Sequence, residues 1–95
     1  MNLGQSIREL RKHKGLKQCE LSNRIDISQA YLSGIETGNR TPSMDVIEKI
    51  SKSLNIPIPI MFWFGLSESD VSEGKIYIYK QLKPSVDTII REIFT

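Results

Sequence analysis

Sulfur, histidine and long apolar runs are scarce in this sequence, and each shortage removes a class of function. One cysteine, Cys19, cannot form an internal disulfide, and the one histidine, His13, has no cysteine or acidic set beside it at metal-ligand spacing. Both read as ordinary surface or small residues, and no cofactor is expected. No Ser-His-Asp set, phosphate-binding glycine loop or paired-carboxylate site can be assembled, so no enzyme activity is expected either. A membrane span requires roughly eighteen apolar residues. The richest run here, IPIPIMFWFGL at 56–66, is about eleven long and holds two prolines, which makes it a buried segment. The N-terminus carries no charged region followed by an apolar stretch, and a reducing cytoplasm is the expected setting.

What is present fits one small domain with an appended element: 95 residues, of which 39% are hydrophobic. The net charge of +2 is unevenly spread. Residues 1–24 carry Arg8, Arg11, Lys12, Lys14, Lys17 and Arg24 against Glu9 and Glu20, a net +4, whereas residues 66–95 sum to −1. A basic first part joined to a nearly neutral tail suggests a module that faces a polyanion, followed by one that faces protein.

Apolar spacing gives a succession of short helices. Leu3, Ile7 and Leu10 predict a helix over about 3–14, stopped by Gly15 after a basic last turn. Gln18 to Arg24 is a second, shorter helix with Leu21 and Ile25 inward, and Lys17 stands where a capping Ser, Thr or Asp is expected. Ser28 caps a third helix with Leu32 and Ile35 inward, and Gly38 ends it. Ser43 caps a fourth, carrying Met44, Val46, Ile47, Ile50 and Leu54. Pro57 and Pro59 open a fifth over about 58–65, whose Phe62, Trp63 and Phe64 are expected to plug the bundle.

The second and third helices, joined by Asp26 and Ile27, make a helix-turn-helix arrangement. Residues 3–56 resemble the lambda-repressor and Cro type, or Xre family, of transcriptional regulators through the ordered segments IRELR, GLKQCELS, ISQAYLSGIETGNRTPS and IEKISKSL. Two positions depart from the family pattern: Lys17 replaces the usual Thr or Ser, and Asp26 a common Gly. The resemblance implies an all-α, five-helix, lambda-repressor-like DNA-binding domain over 1–66. It also implies that Arg11 on the first helix and Glu36 on the third close a structural ion pair; the helical extension over 67–95 is read from the tail's own residues, beyond the reach of the resemblance.

Within that frame, the stretch SQAYLSGIETG at 28–38 carries little charge on its outward face in a chain that is 25% charged. An α-helix fits the major groove of B-DNA, where base edges are read by short hydrogen-bonding side chains and methyl groups. Ser28, Gln29, Ala30, Ser33 and Gly34 suit such close approach, as does Thr37. Gln29 is the best single reader, because an amide can pair with adenine N6 and N7 together. Family members use the first residues of this helix for base contact. Phosphate contacts are expected on either side, from Lys17 and Gln18 at the start of the second helix and from Asn39 and Arg40 after the reader. Tyr31 either packs or reaches a phosphate.

SESDVSEGK at 67–75 reads as a linker, and KIYIY at 75–79 is compatible with helix or strand. Pro84 is placed at the first position of a final helix bearing Val86, Ile89, Ile90 and Ile93 on one face, with Phe94 beside it. That face either packs on its own domain or dimerises, and dimerisation is preferred because such regulators commonly bind palindromes as dimers. The expected partner is therefore double-stranded DNA with a palindromic operator, read by a homodimeric repressor. The alternative is an antitoxin-like module whose tail holds a toxin or other protein.

Overall fold

The computed structural model describes residues 1–94, Phe94 by its backbone alone. The described residues form helices and turns only: α1 (Leu3–His13), α2 (Gln18–Arg24), α3 (Gln29–Thr37), α4 (Met44–Leu54), α5 (Ile58–Gly65), two single 3₁₀ turns over Glu68–Asp70 and Glu73–Lys75, and α6 (Ile76–Phe94). None of these helices is long and apolar enough to cross a membrane.

The starts and stops of α1 to α5 fall close to where the sequence places them. Ser28 Oγ accepts from Tyr31 N at 3.0 Å and Ser43 Oγ from Val46 N at 3.2 Å, each satisfying an orphan amide of a first turn. Gly15 and Gly38 both adopt positive φ at the ends of α1 and α3. Lys17 supplies no side-chain cap to α2. Instead its backbone N–H donates to Glu20 Oε1 at 3.1 Å, the returning half of a capping box.

Ile7, Leu21, Leu32, Ile35, Ile50 and Met61 are essentially sealed from solvent at the centre of α1–α5. α1 packs against both α5 and α3. Its approach to α3 depends on Gly4, where any Cβ would collide with the Ile35 carbonyl. The plug of α5 differs from expectation. Met61 and Gly65, four residues apart and so on one helical face, are the buried positions. Phe62, Trp63 and Phe64 lie around the side of the helix and are half-buried.

The tail departs further from the sequence reading. α6 is one helix of 19 residues, so the KIYIY segment is helical from Ile76 and Pro84 sits inside the helix rather than at its start. An internal proline removes one i→i−4 bond and crowds the preceding turn. Here contacts on both sides of Pro84 hold the helix through it. Before the proline, Tyr79 Oη donates to the Leu66 carbonyl at 3.2 Å and its ring meets Trp63 at a 6.1 Å centroid distance. After it, Asp87 accepts from Trp63 Nε1 at 2.7 Å. Lys83 reaches Asp87 at 3.1 Å and lies over the Trp63 ring. Segment 67–75 closes a turn on itself, Asp70 Oδ2 accepting from the Ser67 N–H at 2.9 Å, and Lys80 of α6 reaches its Glu68 at 3.5 Å.

The four-residue face expected on the tail is divided. Ile90 turns inward, only 8% exposed, beside Leu10, Ile56, Ile60 and Phe64 of its own chain, and Val86 is half-buried. Ile89 and Ile93 point outward. The place of Phe94 beside that face lies outside the described residues.

Candidate nucleic-acid interface

The first turn of α3 projects from the bundle because the turn before it is tight and its own inward side is fixed. Asp26 adopts φ 57°, the left-handed conformation for which a glycine is the usual residue and which Asp tolerates better than most. Ile27 N then donates to Ser22 O at 3.0 Å. Leu32 and Ile35 anchor α3 in the core against Leu21 and Ile25 of the preceding element. What remains outside at the helix start is Ser28, Gln29 and Ala30, all exposed, with Ser33 and Gly34 half-buried one turn on.

A chain of polar contacts runs from the interior to this exposed end. Arg11 and Glu36, each 6% exposed, form a two-pronged pair: Nε to Oε2 at 2.7 Å and Nη2 to Oε1 at 2.9 Å. The third guanidinium nitrogen, Nη1, donates to the Leu16 carbonyl at 2.8 Å, so the buried cation is well satisfied. Glu36 Oε1 also accepts from Gln18 Nε2 at 3.2 Å, and Gln18 Oε1 accepts from Gln29 Nε2 at 3.3 Å. The carboxylate has no proton to offer, so it fixes which end of the Gln18 amide faces it. That in turn fixes the Gln29 amide. Gln29 is exposed, and the bond to Gln18 engages only one N–H of its amide, leaving an acceptor and a donor of the kind that a bidentate pairing with adenine uses.

The flank of α3 is covered by Arg40. Its N–H donates to Gly34 O at 3.0 Å, and its alkyl stem lies so close to Gly34 that an added Cβ would sit 3.0 Å from Cγ. Its guanidinium carbon stands 5.7 Å from the centre of the Tyr31 ring, a cation–π arrangement. Gly34 therefore makes room for Arg40. Thr37 Oγ1 turns back to the Ser33 carbonyl at 3.0 Å. Lys17, before the reader in sequence, and Asn39, after it, are both exposed. Gln18 is half-buried with both ends of its amide engaged, so the α2 start has backbone N–H groups, more than this side chain, to offer a phosphate.

The structure thus brings Arg11, Gln18, Gln29 and Glu36 into one network, and Tyr31, Gly34 and Arg40 into another. Ala30, Ser33, Lys17 and Asn39 join neither. The Gln18 link has no signal in any single helix's periodicity, since it joins α2 to α3. The Leu16 carbonyl, a backbone acceptor, has none at all. Among the described residues no three His, Cys, Asp or Glu side chains converge as a metal site would require.

Comparison with known proteins identifies the family of the fold. A family model described as helix-turn-helix matches residues 7–60, and the chain belongs to that family, in its Xre-type branch. It is 35% identical over 72 residues to the transcriptional regulator SinR of Bacillus licheniformis, covering 75% of this chain and 61% of SinR. It is 43% identical over 54 residues to the control protein C.BamHI of Bacillus amyloliquefaciens, covering 56% of this chain and 67% of that protein. Among solved structures it resembles Bacillus thuringiensis PlcR in complex with the peptide PapR7 and DNA, with TM-score 0.64 and 34% identity, over 93% of this chain and 29% of PlcR. The match thus spans about three fifths of the length of SinR.

Proposed function

We propose that this chain is a sequence-specific double-stranded-DNA-binding regulator, acting in the cytoplasm as a transcriptional repressor by occluding its operator. The observation that carries the reading is the Arg11–Glu36–Gln18–Gln29 chain, which ends in an oriented, exposed amide at the start of α3. A lone glutamine on a mobile side chain would read bases poorly. One whose amide is held by a buried charge is preorganised for a single orientation. In this reading α3 enters the major groove with Ser28, Gln29 and Ala30 toward base edges and Ser33 near them, while Lys17, Arg40, Asn39 and the α2 N-terminus meet phosphate.

Residues 1–66 form the DNA-binding unit and 67–95 the extension through which two copies associate. One reader helix touches only a few base pairs, and a two-fold pair can place two such helices in successive major grooves about 34 Å apart, which makes the operator a palindrome. Selection of bound DNA from a random pool tests the reading. The expected result is enrichment of an inverted repeat. Recovery of no preferred sequence, with the protein folded, overturns it.

A further inference from the structure

Beyond the turn that precedes it, α6 makes no extended backbone approach to another described helix, in contrast to the close α1–α5 and α1–α3 pairs. The gap it leaves against the bundle is a cavity of about 390 Å³, walled by Leu10 of α1, by Ile56, Ile60 and Phe64 at α5, and by Ile90 of α6. Ile56 and Ile90 are buried, while Leu10, Ile60 and Phe64 are only half-buried beside space that no side chain of the described residues fills. Protein interiors pack at crystal-like density, and an apolar cavity of a few hundred Å³ with a few polar groups at its mouth is the usual form of a small-molecule site.

The mouth carries Glu9 and His13 of α1 and Arg91 of α6, all exposed. Glu9 Oε1 already accepts from Gln5 Nε2 at 3.2 Å, one turn back on its own helix. His13 and Arg91 offer N–H donors from different helices, and a guanidinium meets a carboxylate through two parallel N–H bonds. A primary amine would find Glu9 alone, with Arg91 as a like charge beside it. At roughly 30 Å³ for each water-sized unit, the cavity takes about a dozen non-hydrogen atoms. We propose that it binds a medium-chain monocarboxylate, the carboxylate at Arg91 and His13 and an unbranched tail of about eight to ten carbons among Ile56, Ile60, Phe64 and Ile90.

Such a ligand touches α1, α5 and α6 together. It therefore ties the second half of α6 to the bundle beside the bond from Trp63 to Asp87. A molecule that binds the docked helix and not the displaced one stabilises docking by mass action, so occupancy slows local opening beyond Pro84. The inference stands apart from the DNA-binding reading, since no lining residue belongs to α3 or to the network that supports it.

Titration of the isotope-labelled full chain with octanoate, octanol and octylamine, followed by amide NMR, tests it. Octanoate is expected to bind saturably, one per chain, with a Kd on the order of 1 mM or tighter, shifting the amides of Leu10, His13, Ile60, Phe64 and Ile90. Octanol should bind several-fold more weakly and octylamine more weakly still. Arg91→Gln, at an exposed position that leaves the fold intact, should weaken octanoate about tenfold and leave octanol unchanged. Ile60→Trp fills the cavity and should abolish binding of both. At five times the Kd, octanoate should slow amide exchange beyond Pro84 about sixfold. Ile78, Leu82, Ile89 and Ile93 form an exposed apolar stripe on the outward side of α6, and Leu82→Glu there should bind octanoate as wild type does. Absence of a saturable shift below about 5 mM, shifts centred on that stripe, or binding retained by a folded Ile60→Trp variant overturns the site. Octylamine binding as tight as octanoate, or octanoate binding indifferent to Arg91→Gln, overturns the carboxylate assignment. Unchanged exchange at saturation overturns the tie between α6 and the bundle.

Discussion

Eleven of the buried apolar side chains described belong to the five-helix bundle, whereas α6, the longest helix, contributes only Ile90. The bundle closes a core around Ile7, Leu32 and Ile50 and locks its reader with a doubly bonded ion pair. α6 is held instead by a few polar clasps, chiefly Trp63 to Asp87 and Tyr79 to the Leu66 carbonyl. The difference separates two requirements. A helix that must present one amide in one orientation is built on a sealed support, while a helix that keeps an apolar stripe outward cannot also bury that stripe for its own stability. Local opening should accordingly begin in α6 and leave the reader ordered.

The largest expected effect lies in the buried pair. Glu36→Ala leaves the Arg11 guanidinium without its carboxylate inside the bundle and should lower the unfolding free energy by about 3 to 5 kcal/mol. Denaturant titration at unchanged slope measures it. Arg11→Ala with Glu36→Ala should cost less than the sum of the two single changes, because the second removes a partner already orphaned. Strictly additive losses would break the claim that the bundle's rigidity at the reader runs through this pair.

A smaller effect belongs to the reader itself. Gln29→Ala should cost about 1 to 3 kcal/mol on the selected operator and relax choice at one base position, leaving stability nearly unchanged. Arg40→Ala should instead weaken binding to all sequences and flatten the salt slope by about one unit. Equal loss on every sequence for Gln29→Ala would transfer Gln29 from base reading to mere positioning. The comparison sharpens if Arg40→Ala also disturbs base choice, since its stem rests on Gly34 of the same helix.

How far the sequence disclosed this arrangement depends on the range of the contacts involved. Helix limits were legible because caps and stops are local: Ser28, Ser43, Gly15 and Gly38 act within one turn of where they stand. The ion pair of Arg11 with Glu36 came through the family resemblance, and the structure closes it. The Gln18 relay and the seating of Arg40 on Gly34 were not legible, because each joins separate elements and no single period encodes it. Pro84 misled for a related reason. Read locally, a proline marks a helix start; here Tyr79 and Ile90 dock on either side of it and carry the helix through.

The smallest expected effect tests the weaker half of the comparison. Asp87 accepts from Trp63 Nε1 at 2.7 Å and from Lys83 at 3.1 Å, and it is the main polar link between α5 and the second half of α6. Asp87→Ala removes both bonds. Trp63 is only half-buried, so water can reach its freed N–H and the loss should stay near 1 kcal/mol. If α6 opens independently of the bundle, that loss appears as amide exchange about fivefold faster beyond Pro84, while amides of α1 and α3 keep their rates. Asp87→Asn retains an acceptor for the indole and should recover most of the protection. Should exchange instead quicken equally in α3, the chain unfolds as one unit, and the stability of the reader depends on the clasp that holds the tail.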